Sequence, residues 1–227
     1  MTGSLLEVIA LDVRDAVAAE EGGADRLEVV ADPASDGLIP SADTVAAIAT
    51  VCTLPQMVLL RPHTGVTITP PELVDLRVKA KELAAAGAAG FVFGFLTPEG
   101  ALDLSATEAL IQAIAPLPWT CHRVIDRAAD PRAAWRAVRL QPNLAMVLTA
   151  GSPTGVGDGL PVLRARADAG DGPLILAGGG LRREHVPALL GYGIRAFHVG
   201  GRVRTSWSEP VQARLVRNWR RAVDARP

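Results

Sequence analysis

The sequence predicts an α/β fold, a single (β/α)8 TIM barrel that takes up residues 1–227 as one domain. Short apolar runs of strand length alternate eight times with longer segments that have helical spacing. The runs are continuous in Val, Ile and Leu, which is typical of parallel strands buried on both faces. No linker or low-complexity segment divides the chain. A doubly wound open sheet is the rival fold, but it more often has fewer strands and a GxGxxG turn after the first, and neither feature occurs here.

The first four strand–helix units carry recognisable helix ends. Asp12 is a predicted N-cap, and Gly22 with Gly23 ends that helix. Ser41 caps the second helix, and Pro70 opens the third, because proline is tolerated in a first helical turn. Ser105 is expected to cap the fourth helix. The first four predicted strands cover residues 5–11, 27–31, 56–60 and 90–95.

The second half of the chain repeats this order. Asp130 starts the fifth helix, and a glycine-rich loop over residues 151–159 leads into the sixth, which ends at Gly170. The seventh helix is expected over residues 181–190, and Ser208 is expected to cap the eighth, which ends near residue 224. The last four predicted strands cover residues 118–122, 144–149, 173–177 and 194–199.

Composition excludes several classes of protein. Hydrophobic residues make up 49% of the chain and the mean hydropathy is +0.24, so a large core can form and a disordered chain is excluded. The chain has 23 basic and 24 acidic residues, which gives no basic field for nucleic acid or an anionic membrane. Cys52 and Cys121 form no CxxC pair, which disfavours a zinc ribbon, a redox motif or a disulfide scaffold. With no leader peptide and no stretch of ~18 apolar residues, we expect a cytoplasmic protein.

Polar residues gather where the predicted strands end. In a (β/α)8 barrel the carboxyl ends of all strands meet at one rim, which carries the active site. The carboxylates of Glu7 and Glu28 are embedded in apolar strands, where ionisation is costly unless the group is paired or reaches water. They therefore either pair with a nearby arginine or point into the barrel mouth. The candidate catalytic residues are Glu7, Glu28, Arg61, His122, Arg123, Asp126 and His198.

Glycine runs after strands seven and eight predict an anion site. Loops at these positions often bind phosphate through backbone N–H groups, and glycine lets the backbone approach an anion closely. The alternative is that the glycines form tight turns that need a positive φ. The candidate anion-binding residues are Gly178, Gly179, Gly180, Gly200, Gly201 and Arg202.

The chain resembles the CutC family, which is named for a proposed role in copper homeostasis, along nearly its whole length. Residues 20–28 read EEGGADRLE, similar to the family's AExGGADRIEL, and residues 121–126 read CHRVID, similar to FHRAFD. Further resemblances are GLIPS at 37–41, LRP at 60–62, FVFGFLT at 91–97, LTAG at 148–151, GGG at 178–180 and FH at 197–198. The resemblance implies a cytoplasmic barrel, often a homo-oligomer, assigned to copper binding or tolerance.

The resemblance also has departures. The family's proposed copper-binding cysteines align with Ile9 and Val30, neither of which can bind a metal. Cu(I) prefers thiolate or thioether ligands. Cys52 and Cys121 do not replace them by position. The cofactor therefore stays unknown, with copper implied by the resemblance alone.

Three hypotheses for function remain open. The first is a copper-homeostasis protein that holds metal through histidines and carboxylates. The second is an enzyme, of lyase, isomerase or hydrolase type, that acts on a small anionic or phosphorylated metabolite. In it His122 would be the acid or base, Asp126 would orient it, and Arg61 and Arg123 would hold charge. Glu7 and Glu28 would then be a second acid–base pair or ligands of a hard cation. The third is a barrel that binds a metabolite without turning it over.

Overall fold

The computed structural model describes residues 3–225 and forms a closed barrel of eight parallel strands in chain order. The predicted (β/α)8 fold is confirmed. The strands are β1 (Leu5–Ala10), β2 (Arg26–Val29), β3 (Gln56–Leu59), β4 (Gly90–Phe93), β5 (Trp119–Cys121), β6 (Leu144–Thr149), β7 (Ile175–Ala177) and β8 (Ala196–Val199). The main helices are α1 (Val13–Glu21), α2 (Ala42–Val51), α3 (Pro70–Ala85), α4 (Leu104–Ile114), α5 (Pro131–Val138), α6 (Val156–Arg166), α7 (Val186–Gly191) and α8 (Ala213–Val223).

Several predicted helix starts are confirmed by their capping hydrogen bonds. The Asp12 carboxylate accepts from the N–H groups of Arg14 and Asp15 at the start of α1. The Ser41 hydroxyl accepts from the Thr44 N–H at the start of α2. Helix α3 begins at Pro70 and has a capping box before it, in which Thr69 and Glu72 bind each other's backbone N–H.

Other predicted boundaries are wrong. Asp103 rather than Ser105 caps α4, accepting from the Ala106 N–H at 2.9 Å. Helix α6 begins at Val156, inside the predicted 151–159 loop. After Arg166 the chain continues as a π-helix over Ala167–Asp171, in which Gly170, the predicted end, has a φ of +90°. Helix α7 is shorter than the predicted 181–190.

The start of α8 is displaced most. Ser208 does not cap this helix, which begins only at Ala213. The segment before it is held by Asp15, whose carboxylate accepts from the Val211 N–H at 2.8 Å and pairs with Arg204 at 3.0 Å. This tertiary contact fixes the segment after β8 as a loop, so the helix starts later than its local sequence predicts.

Two layers of apolar side chains fill the molecule. The larger layer lies between the strands and the helices, where Leu6, Val8 and Leu27 are fully buried. The barrel interior has two smaller clusters, around Met57 and around Leu148. Side chains of a strand alternate between its two faces. Glu7, between Leu6 and Val8, and Glu28, after Leu27, therefore point into the barrel. No helix within residues 3–225 combines the length and apolar character that crossing a bilayer requires.

The barrel closes where β1 pairs with β8, the first strand with the last. Charged contacts fasten the same seam between parts of the chain about 190 residues apart. Glu7 meets His198 inside the barrel, Asp15 meets Arg204 above it, and Asp25 meets Arg220 on the outside at 2.6 Å. The two ends of the described chain therefore hold each other.

Candidate functional site

Strand register brings three charged residues together inside the barrel. Glu7 on β1 lies beside Arg26 on β2 and beside His198 on β8. The Arg26 Nε donates to Glu7 Oε2 at 2.6 Å, and His198 Nδ1 lies 2.8 Å from Glu7 Oε1. Glu7 is 1% exposed, so both of its oxygens are spent on these partners away from water. Of the two alternatives for this carboxylate, the arginine pair is the one that forms.

Glu28 lies at the other side of His198 and is paired less completely. Its Oε2 is 3.6 Å from His198 Nε2, beyond the distance of a strong hydrogen bond. Its Oε1 is buried and has no hydrogen-bond partner among the described residues. Glu28 also lines the large cavity at the barrel mouth, which Glu7 does not. A group that faces this cavity from above can therefore reach Glu28.

The carboxyl groups of Glu7 and Glu28 have very different pKa values. Burial acts to raise the pKa of Glu7, but Arg26 and His198 outweigh it, so that pKa lies below its usual value. Burial raises the pKa of Glu28 to about 7, with the negative charge of Glu7 adding to the effect and His198 opposing it. Burial works to lower the pKa of His198, but Glu28 and Glu7 raise it overall. Glu7 is thus the permanent anion, and Glu28 is a carboxyl group that gains or loses a proton near neutral pH.

The cavity has a volume of about 420 Å³ and opens at the carboxyl ends of the strands. Four of the seven candidate catalytic residues line it: Glu28, His122, Arg123 and His198. The lining also includes Arg202 and Trp207 from the loop after β8. Glu7, Arg61 and Asp126 are not among its lining residues.

The expected contact between Asp126 and His122 does not form in the part of the chain that the structure describes. The Asp126 carboxylate accepts from the Thr149 hydroxyl at 2.6 Å and from the Ala150 N–H at 2.8 Å, and it pairs with Arg123 Nε at 3.2 Å. Its oxygens are occupied by the loop after β6, which outcompetes the imidazole. Asp126 therefore positions Arg123 and that loop, and it does not orient His122.

The surroundings of His122 keep its imidazole in the neutral form. Burial, together with the positive charges of Arg61 and Arg123, lowers the pKa of His122 to about 3. The ring is therefore neutral at pH 7 and can exchange hydrogen bonds with a ligand.

Arg61 fastens two loops instead of holding a ligand's charge. One terminal nitrogen donates to the carbonyl groups of Ser35, Asp36 and Gly37, and the other donates to the Thr64 carbonyl. The loops after β2 and β3 are joined through this guanidinium. Burial lowers the pKa of Arg61 only against its ordinary high value, so the group stays charged.

The glycines of the two runs differ in whether their backbone N–H is already hydrogen-bonded. Gly178 does not line the cavity, and its N–H donates to the Thr149 carbonyl at 3.2 Å. Gly179 has a φ of +87°, and a Cβ there would meet the Arg123 guanidinium carbon at 2.4 Å. Within residues 3–225, no backbone carbonyl accepts from the cavity-lining residues Gly179, Gly180, Gly200 and Gly201. Four of the five glycines thus keep the capacity to bind an anion, and Gly178 does not.

Two residues of the site were not foreseen. Arg26 stands two positions before Glu28, and the alternation of strand side chains puts both on the interior face, a signal that the sequence already contained. Trp207 lines the cavity because Arg204 stacks on its ring at 4.9 Å, a contact that no sequence pattern indicates.

Comparison with known proteins now assigns the family. Residues 4–203 match the model of the CutC family. The chain belongs to the CutC family. CutC proteins of Klebsiella pneumoniae strain 342 and of Salmonella typhi are each 32% identical to it over 196 residues, which is 86% of this chain and 79% and 75% of theirs.

Solved structures share the fold. The CutC structure from Streptococcus agalactiae, described as that of a copper homeostasis protein, superposes with a TM-score of 0.77 at 21% identity and covers 87% of this chain and 98% of its own. Phosphoribosyl anthranilate isomerase from Thermococcus kodakaraensis superposes with a TM-score of 0.65 at 17% identity, covering 97% and 98% of the two chains. At these identities the likeness concerns the barrel itself.

The CutC-family site offers oxygen and nitrogen donors, but no sulfur donors among the described residues, for a metal. Glu7, Glu28 and His198 each present one ligand atom, and these atoms lie within 4.8 Å of one another. Among residues 3–225, none that lines the cavity carries sulfur. Cys52 and Cys121 are both buried, and burial raises the pKa of both thiols, which disfavours the thiolate form. This donor set does not fit Cu(I), which prefers sulfur.

Proposed function

We propose that this CutC-family barrel binds a small anionic metabolite in the mouth cavity and exchanges a proton with it through Glu28. The observation that carries the proposal is the Glu28 carboxyl group itself. It is buried, it faces the cavity, and one of its oxygens has no partner among the described residues. A buried polar atom without a partner is costly, and a ligand hydrogen bond would remove that cost.

The protonation of Glu28 suits acid–base chemistry. Its pKa of about 7 makes both forms available near neutral pH, which is where a general acid or base is most effective. Glu28–H would give its proton to a ligand atom, or the carboxylate would take a proton from a ligand C–H or O–H group. His198 would stabilise the carboxylate form from 3.6 Å, and Glu7 with Arg26 would hold His198 in place.

The preference for an anion rests on the groups above Glu28. The guanidinium of Arg123 lines the cavity and is held at its Nε by Asp126, so its outer nitrogens are directed away from that partner. Arg202 and the N–H groups of Gly200 and Gly201 lie along the rim. Together they supply charge and backbone donors to a carboxylate or phosphate group. The neutral His122 adds a hydrogen bond.

Copper is the other function that the family suggests, and the residues give it little support. The Glu7 carboxylate is already bonded to Arg26 and to His198 Nδ1, which leaves Glu28 and His198 Nε2 as the less committed donors. A cytoplasmic location and a homo-oligomeric assembly stay proposals of the resemblance.

The test combines binding with isotope exchange. A panel of small carboxylates and phosphate esters would be screened by thermal shift, where a ligand at 100 times its Kd stabilises by about 2.7 kcal/mol. Each stabilising compound would then be incubated with the protein in D₂O, and exchange of its carbon-bound hydrogen followed by NMR. We expect Glu28→Gln to abolish exchange and keep binding, and Arg123→Gln to weaken binding about tenfold or more.

Two outcomes would overturn the proposal. One is that no anionic compound stabilises the protein. The other is that Glu28→Gln exchanges hydrogen as fast as the unchanged protein. Glu108→Gln, on the exposed face of α4, is the matched control and should change neither property.

A further inference from the structure

A second cleft adjoins the mouth cavity at the beginning of α6. It has a volume of about 240 Å³ and shares Gly180 and Arg202 with the main cavity. Its other walls include Gly157 in the first turn of α6, with Arg182 and His185 from the segment after β7. None of Gly157, Arg182 and His185 belongs to the site described above.

His185 presents a hydrogen-bond donor to this cleft. The residue is 6% exposed, and its Nδ1 accepts a hydrogen bond from the Arg182 N–H at 3.2 Å. Since Nδ1 is the acceptor, the ring proton of the neutral imidazole lies on Nε2. Among the described residues Nε2 makes no hydrogen bond, and the Glu184 oxygen that lies 4.0 Å from it is too far away to accept one. Burial lowers the pKa of His185, and Arg182 adds to this, so the neutral form is the relevant one.

The donor is directed at the first turn of α6. A methyl group on Gly157 would lie 3.6 Å from His185 Nε2 and 3.9 Å from a terminal nitrogen of Arg182. The N-cap residue Gly155 has no side chain to bind the first N–H groups of this helix of 11 residues. The Val156 N–H donates to the Gly179 carbonyl at 3.0 Å, and the N–H groups of Gly157 and Asp158 have no backbone acceptor among the described residues. Helix N-termini with free N–H groups attract anions through those donors and the helix dipole.

The charges around the cleft favour an anion. Of the described residues that line it, Arg182 and Arg202 carry guanidinium groups, and Asp158 alone carries a carboxylate. The Asp158 carboxylate accepts from the Thr154 hydroxyl at 2.5 Å. Arg182 also pairs through Nε with Glu184 at 3.0 Å, which leaves its terminal nitrogens for the cleft.

We propose that this cleft, formed by Gly157, Arg182, His185 and Arg202, binds the phosphoryl group of a phosphate monoester whose remaining part occupies the mouth cavity. The inference rests on the proposed function and narrows its ligand class, because Gly180 and Arg202 belong to both spaces. A tetrahedral phosphoryl group presents several oxygens at once, which suits donors that converge from a helix end, an imidazole and two arginines. One ligand would thus place its phosphate here and its reacting atoms beside Glu28.

The test uses inorganic phosphate as the probe, with binding measured by calorimetry on the full chain. Gly157→Ala puts a methyl group where the phosphate would lie, and alanine in place of a helical glycine favours folding. We expect it to weaken phosphate binding about tenfold or more without lowering the melting temperature. Gly191→Ala, at a helical glycine with open space around it, is the control and should leave binding unchanged.

A second pair of variants isolates the imidazole donor. His185→Asn places an acceptor near the position of Nδ1 and keeps the Arg182 N–H bonded, but it lacks the Nε2 donor. His185→Gln carries an N–H₂ group near the position of Nε2. We expect the asparagine variant to lose phosphate affinity about tenfold and the glutamine variant to keep it within about threefold.

The outcomes separate this inference from the proposed function. Phosphate binding that survives Gly157→Ala and His185→Asn but is lost in Arg123→Gln would overturn the cleft and keep the mouth as the anion site. Absence of phosphate binding, with carboxylates still bound at the mouth, would overturn the cleft alone. Loss through Gly157→Ala with no effect of Arg123→Gln would support the cleft as an independent phosphoryl site.

Discussion

Replacing Glu28 by glutamine should make the stability of this barrel less dependent on pH. Folded Glu28 has a pKa of about 7, whereas its ordinary value is 4.5. The folded state therefore holds a proton that the unfolded chain releases, and the free energy of unfolding falls as the pH rises from about 4.5 to about 7. At about 1.4 kcal/mol for each pH unit, this gap corresponds to about 3 kcal/mol. Glutamine cannot ionise, so Glu28→Gln removes this loss.

The assay is urea unfolding of the two proteins at pH 4.5, 6, 7 and 8. We expect the difference in unfolding free energy to move in favour of Glu28→Gln by about 2–3 kcal/mol between the lowest and highest pH. His198 acts in the same direction, because its raised pKa gives stability that is lost as the pH rises through the folded value, and removing Glu28 weakens that effect. If the amide introduced by Glu28→Gln makes a poor hydrogen bond, the unfolding free energy of the variant changes by the same amount at every pH. The dependence of the difference on pH is then unaffected.

Glu108→Gln is the matched control, since that side chain is exposed on α4 and its replacement should change stability by less than about 0.5 kcal/mol at every pH. A difference between Glu28→Gln and the unchanged protein that is the same at all four values would refute the reasoning, because Glu28 would then titrate alike in the folded and unfolded states.

Three further outcomes are expected. Asp126→Ala should destabilise the protein by about 3–5 kcal/mol in urea, because it leaves buried donors of the loop after β6 without an acceptor; exposed Asp168→Ala should cost under about 0.5 kcal/mol. Gly179→Ala should destabilise by about 1–3 kcal/mol through its positive φ and the Arg123 contact, and a neutral effect on the melting temperature would contradict the strained backbone. When the protein competes with a chelator for Cu(I) in reducing buffer, it should not bind copper stoichiometrically. Stoichiometric binding by the unchanged protein that disappears in Cys121→Ser would disprove this.

Local sequence predicts the barrel well because each strand and helix is specified by its own residues. The continuous apolar runs locate all eight strands, and Asp12 and Ser41 begin helices as their capping side chains require. Ser208 fails as a cap because a tertiary contact from Asp15 fixes the segment before α8. Helix ends that depend on a distant residue cannot be derived from local spacing.

The sequence predicts which residues belong to the site better than it predicts which of them contact each other. Carboxylates embedded in apolar strands mark Glu7 and Glu28 as special, but only the register shows that Arg26 neutralises one and leaves the other near the cavity. Likewise, Asp126 lies four residues after His122, yet the loop after β6 takes both of its oxygens. Which of several nearby donors wins depends on loop geometry that one sequence does not determine.

The seam between β1 and β8 has a consequence for how the protein is made. During synthesis, residues 5–177 emerge with seven strands, yet β1 can pair only with β2 until residues 196–199, which form β8, have left the ribosome. Until then the edge of β1 exposes unpaired backbone groups, and the carboxylates of Glu7 and Asp15 lack their partners His198 and Arg204. Ring closure is thus a late event, and a nascent chain stalled before its final strand would be open to association with other chains.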